Sequence, residues 1–201
     1  SIRDINHMGD TPPGRDIGPR DPEARRAALL DAALVEFARH GLAGARTSAI
    51  AARAGVNKQL ISHHFGGKEG LYRALIERWL EAESEYGGDA MQLADVAAAY
   101  ARSAAEDSEL HRLVLRASID GEATGAGITD ADVEGMLRRQ AAGEIGGDLD
   151  PRFVLLALQA ITAAPVVFSD DARRLTGLEL DSPEFVAWHT EQLRRLVERL
   201  A

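Results

Sequence analysis

The sequence predicts an all-helical protein of about nine helices, with a three-helix head and a larger helical body, and three observations carry that prediction. Apolar residues recur at roughly 3.6-residue spacing through most of the chain. Helix starts are punctuated by Asp-Pro and Ser-Pro-Glu sequences. No run alternates apolar and polar residues as a half-buried strand would.

The elements follow in order. Asp21 before Pro22 reads as an N-cap with proline at the first helical position, and Leu30, Ala33, Leu34 and Phe37 form a stripe that Gly41 ends. Thr47 is expected to cap a second, short helix through Ala54, and Gly55 to end it with positive φ; Asn57 is expected to cap a third through about His64. Beyond Gly66-Gly67 a fourth helix is expected from Lys68 to Tyr86, with Leu71, Leu75, Trp79 and Leu80 on its apolar face and Gly87-Gly88 closing it. Helical periodicity then returns over 91–105, 109–118 and 130–143, and the Gly-rich loop from Gly121 to Asp130 is expected to be the most mobile piece. The last two helices start at Asp150-Pro151, before Phe153, Leu156, Ala160 and Ile161, and at Ser182-Pro183-Glu184, before Phe185, His189, Leu193, Leu196 and Leu200. Pro165 should bend or end the first of these.

The domain reading is an arm over 1–20, a head over 21–67 and a body over 68–201. The arm is proline-rich, lacks apolar periodicity and is expected to be disordered; its first residues, to His7-Met8, have the look of a cloning remnant ahead of the natural start.

Composition narrows the function. The 201 residues contain no cysteine, which removes disulfides, thiolate metal sites and cysteine nucleophiles. The longest apolar run, Phe153 to Phe168, is interrupted by Gln159, Thr162 and Pro165 and falls short of the roughly 20 residues a spanning helix needs, and the N-terminus has no apolar export segment. A cytoplasmic protein without membrane association is expected. The net charge is -9, yet residues 1–68 hold 10 Lys+Arg against 7 Asp+Glu, while 69–201 hold 13 against 25. A basic head precedes an acidic body.

The head carries the most specific pattern. Ile50, Ala51, Gly55, Val56 and Ile61 have the order and spacing of a helix-turn-helix, in which a small residue allows the helices to cross closely and a glycine makes the turn. Its second helix would present Lys58, Gln59, Ser62 and His63 outward, a set suited to base edges in a DNA major groove. Lys68, with the free N–H groups opening the fourth helix, suits a backbone phosphate.

The stretch from Ala54 to Tyr72, AGVNKQLISHHFGGKEGLY, preceded by TSAIAARAGV from Thr47, resembles the DNA-binding signature of TetR-family transcriptional regulators. Gly55-Val56, His64-Phe65, Lys68-Glu69 and Leu71 stand where that family has them. Ser62 and Leu60 depart from it, at positions where a phosphate-contacting tyrosine and a threonine are usual; the phosphate grip there would then be weaker, or supplied by His63 and His64. The resemblance implies a DNA-contacting set of Arg46, Thr47, Ser48, Asn57, Lys58, Gln59, Ser62, His63, His64 and Lys68. It also implies a homodimer on a palindromic double-stranded operator, joined through a four-helix bundle of the last two helices of each chain, with Leu156, Ile161, Phe185, Trp188, Leu193 and Leu196 as interface candidates. A small-molecule effector would enter a cavity between the fourth and seventh helices, for which Trp79, Tyr86, Tyr100, His111, Met136, Phe153 and Gln159 are candidates, and would release the repressor by moving the fourth helix.

The plainer readings are a helical ligand-binding or enzymatic protein with a vestigial head, and an activator with no small-molecule ligand. The exposed polar set on the third helix speaks against a vestigial head. No phosphate-binding glycine loop, HExxH, GxSxG or di-iron pair is present, so no enzyme and no cofactor is expected. His63 and His64 are adjacent and diverge by about 100° on a helix, so no metal site is expected there. His111 and His189 would otherwise be ordinary core or surface histidines.

Overall fold

In the computed structural model, residues 21–84, 91–122 and 124–201 are described. The predicted arm over 1–20 and the end of the fourth helix, with Tyr86, lie outside them. Ten helices are formed: α1 Pro22–Gly44, α2 Thr47–Arg53, α3 Gln59–Phe65, α4 Lys68–Ser84, α5 Leu93–Glu106, α6 Ser108–Ile119, α7 Asp130–Ala141, α8 Pro151–Val167, α9 Ser169–Thr176 and α10 Pro183–Val197. Among the described residues there is no strand.

Local chemistry sets most boundaries. The Asp21 carboxylate accepts from the N–H groups of Glu23 and Ala24, and Pro22 occupies a position whose N–H would be unsatisfied in any case. Asp150 and Ser182 cap α8 and α10 in the same way, each followed by proline. The expected stop at Gly41 is a break in helical geometry, after which a further turn runs to Gly44. Thr47 is the first residue of α2 rather than its cap: Arg46 stands at the N-cap and makes no side-chain cap, while its own N–H is held by Glu36. The Asn57 side chain accepts from the Gln59 N–H, so it does supply the cap expected of it.

The additional helix is α9. It has an acidic first turn, a basic last turn and a left-handed Gly177 at its end, but no buried residue, so the apolar period that reveals the other helices is missing from it. Pro165 sits in the last turn of α8, where the chain bends by 87° into α9. No single described helix is long and apolar enough to cross a membrane.

Two cores form. The first joins the head to α4 and α6: Leu29, Phe37, Ile50, Ile61, Leu71, Leu75 and Leu113 are all at most 1% exposed. Burying each such side chain contributes roughly 1.5–3 kcal/mol. The second joins α5, α7, α8 and α10 through Leu93, Ala97, Met136, Val154, Leu193 and Val197. The face of α5 toward it is almost all alanine, which lets α10 lie close along it, and Arg194 pairs with Asp95 across the join.

Candidate DNA-binding head and effector cavity

The head is built so that one short helix is exposed by a rigid support. Ile50, Ala51 and Ile61 are buried between α1, α2 and α3. Gly55 has φ +65°, a conformation that a side chain resists, and the Val56 N–H then closes the turn on the Ala51 carbonyl. With Ile61 facing inward, Asn57, Lys58, Gln59, Ser62 and His63 are left exposed along one surface. Arg46 and Ser48 are exposed beside them at the start of α2, with Thr47 half-buried. His64 is half-buried, its ring 5.0 Å from that of His63 and 6.3 Å from Phe65, over which the Arg26 guanidinium lies at 5.3 Å.

Lys68 is placed differently from the expectation. Its ammonium donates to the carbonyls of Ala43 and Ala45, both at 3.4 Å, so its first role is to tie α4 to the connection between α1 and α2. One N–H remains for a phosphate. Sequence reasoning also passed over Gly70, where a side chain would overlap the Phe65 carbonyl oxygen at 1.7 Å. That glycine lets the end of α3 sit against the start of α4.

A cavity of about 240 Å³ opens between α4, α5, α6, α7 and α8. Trp79, Tyr100, His111, Met136 and Gln159 line it. Phe153 does not: it is 66% exposed on the outer face of α8, because the α8 residues turned inward are Val154, Leu155 and Leu158. The polar lining also includes Glu83, Ser118, Asp132 and Thr162, which sequence reasoning missed. For Glu83 a signal existed, since it follows Trp79 by four residues on one helix face. The Tyr100 hydroxyl donates to the Glu83 carboxylate at 3.3 Å. Burial raises the Glu83 pKa, with Asp132 adding to the effect, and raises that of the Tyr100 hydroxyl. His111 is 7% exposed, its ring 4.9 Å from that of Trp79, and burial lowers its pKa to about 4 against the opposing pull of Asp107. Among the described residues no group of three His, Asp or Glu could hold a metal ion.

The predicted interface residues separate into two sets. Leu156, Trp188 and Leu196 are exposed and Ile161 half-buried, whereas Phe185 and Leu193 are 1% and 2% exposed. Phe185 and Leu193 face the protomer's own interior, with the Phe185 ring stacked on His189 at 5.6 Å, so neither can meet a partner.

A trihelical head with its third helix exposed, carried on a helical body with an internal cavity, defines a helix-turn-helix protein with a sensor-like domain. Residues 29–75 match the model of bacterial regulatory proteins of the tetR family. The HTH-type transcriptional repressor SCO4008 of Streptomyces coelicolor is 52% identical over 59 residues, covering 29% of this chain and 31% of that protein. The transcriptional regulator RutR of Escherichia coli is 25% identical over 193 residues, covering 89% of this chain and 91% of RutR. Among solved structures, the Streptomyces coelicolor transcriptional regulator SCO4942 superposes with a TM-score of 0.68 at 26% identity, covering 87% of this chain and 97% of that one. Residues 29–75 thus carry the DNA-binding region of the tetR family, and the fold of the whole chain is similar to that of the SCO4942 regulator. The match to the first curated relatives spans about a third of their length, 31% and 30%. By name these relatives are transcriptional regulators or repressors.

Proposed function

We propose that this protein is a DNA-binding transcriptional regulator that acts in the cytoplasm as a homodimeric repressor and leaves its operator when a small molecule fills the cavity. The observation that carries the reading is the exposed row Lys58, Gln59, Ser62 and His63 on a helix whose opposite side is anchored by Ile61. A helix of that kind fits the major groove, where an amide can pair with adenine and a cation can meet guanine or phosphate.

One such helix reads few base pairs, so two are needed, on half-sites about 34 Å or a multiple apart. The exposed apolar residues of α8 and α10, Leu156, Trp188 and Leu196 with Phe153 beside them, supply a face for a four-helix bundle with a second copy. Release would travel along α4, which carries Trp79 at the cavity and Tyr72 in the head's core, the latter edge-on to Phe37 at 5.1 Å. It would also travel along α6, which carries His111 and Val114 at the cavity and packs against α1. A coupling of about 1–3 kcal/mol lowers DNA affinity roughly 5- to 150-fold.

The test is retention of DNA from upstream of the protein's own gene by the purified protein at moderate salt. Sequence-selective retention is expected; its absence would overturn the reading. Gln59→Ala should relax preference at one base position, while Lys58→Ala should weaken binding to all sequences and reduce the salt slope by about one. Lys58 is the better probe than Lys68, whose removal would also loosen the head.

A further inference from the structure

The cavity has a chemical polarity of its own. Its walls are largely aliphatic, with Val96, Val114, Leu155 and Leu158 among them, and α4 brings Trp79 and Glu83 to it. Glu83 accepts from the neutral Tyr100 hydroxyl and has the Trp79 indole close by, but among the described residues no cation pairs with it. Asp132, also on the lining, deepens the negative field. Of the two lining arginines, Arg139 is bound to the Met91 carbonyl and Glu144, and among the described ion pairs neither it nor the exposed Arg138 meets Glu83. A half-buried carboxylate without a counter-charge is costly, and a cation entering the cavity would remove that cost.

A second, independent observation lies beside it. Trp79 and His111 are both more than nine-tenths buried, and the Trp79 Nε1 and His111 Nδ1 atoms, wholly shielded from solvent, have no hydrogen-bond partner. Trp79 lies near enough to Glu83 to favour its charged form, yet no acceptor, that carboxylate included, meets its N–H in hydrogen-bond geometry. Buried polar atoms are nearly always satisfied, and two orphans on contacting rings that both line this cavity point to a ligand group that meets them from the cavity side. An indole N–H requires an acceptor, and a hydroxyl or carbonyl oxygen serves both rings.

We infer that the effector is a small amphipathic organic cation bearing a hydroxyl or carbonyl oxygen, its ammonium against Glu83, its oxygen at Trp79 and His111, and its apolar body along the aliphatic wall. The inference rests on the effector reading above and assigns its chemical class.

The experiment is calorimetric titration of the full-length protein without DNA, using matched probes: phenylethanolamine, its diol analogue phenylethylene glycol, and mandelate. They share a phenyl ring and a hydroxyl and differ in carrying an ammonium, a neutral hydroxyl or a carboxylate. Phenylethanolamine should bind about tenfold or more tighter than the diol, and mandelate weakest of all. Glu83→Gln should bring phenylethanolamine to within about twofold of the diol. Phenethylamine, which lacks the hydroxyl, should bind more weakly than phenylethanolamine, and His111→Leu should shrink that gap. Circular dichroism and the melting temperature report whether each variant is folded; if Glu83→Gln is not, the ranking on the unaltered protein decides alone. The diol or mandelate binding as tightly as phenylethanolamine, no heat with phenylethanolamine in the millimolar range, or an undiminished preference in folded Glu83→Gln would each overturn the inference. Because no DNA is present, failure of operator retention and failure of cation selectivity are separate results.

Discussion

At the scale of single residues, two positions govern more than their size suggests. Gly70 has no room for even a methyl group, because the obstacle is the Phe65 carbonyl, a backbone atom that cannot swing aside as a side chain would. Gly70→Ala should therefore push α3 away from α4 and destabilise the protein by about 1–3 kcal/mol, read as a fall in melting temperature together with weakened DNA retention. His111 acts through its proton. Its folded pKa of about 4 lies below the unfolded value near 6.5, so its contribution is complete above pH 6.5 and is lost as pH falls toward 4. The full loss amounts to roughly 3 kcal/mol, and substitution of His111 by Gln should flatten the dependence of melting temperature on pH across that window. An unchanged slope would assign the acid sensitivity to other groups, of which His189, also lowered by burial, is the first to test.

At the scale of elements, α10 shows how one helix can serve two surfaces. Phe185, Leu193 and Val197 are buried against the protomer, while Trp188 and Leu196 are 45% and 44% exposed on the other side. Substitutions on the two sides should behave differently. Phe185→Ala should cost about 3–5 kcal/mol of stability as a cavity in the core, visible in denaturant unfolding. Trp188→Glu combined with Leu196→Glu should leave helical content intact and shift sedimentation from dimer to monomer at micromolar concentration; dimers that persist would place the interface elsewhere. The helix as a whole was legible in its Ser-Pro-Glu start and apolar period, but Phe185, Trp188, Leu193, Leu196 and Val197 make a broad stripe, and a broad stripe does not say which of its residues meet the protomer's interior. The helix α9 was illegible for the opposite reason: its charges pair along its own surface, Arg173 with Asp170 and Arg174 with Asp171, and it offers no apolar stripe.

At the scale of the whole molecule, the division of charge matters more than the total. In the proposed complex, a basic head over an acidic body would concentrate attraction for phosphate at the end that carries α3 and turn the body away from the duplex. The proposed release depends on a further feature of that scale. The head shares its core with α4 and α6, the same two helices that bring Trp79 and His111 to the cavity, so a ligand there presses on elements the head is built upon.

What the sequence determined by itself was local or nearly so: the caps at Asp21, Asp150 and Ser182, the turn at Gly55, and the exposed row on α3, since each depends on residues within a few positions of one another. The tertiary structure alone decided the rest. It turned Phe153 out and Phe185 in, committed the Lys68 ammonium to two carbonyls of the head, and brought Glu83, Tyr100 and His111 from three helices to one cavity. Those outcomes follow from which helix faces meet, a balance of packing between segments far apart in the chain, and the helical period constrains but does not choose that balance.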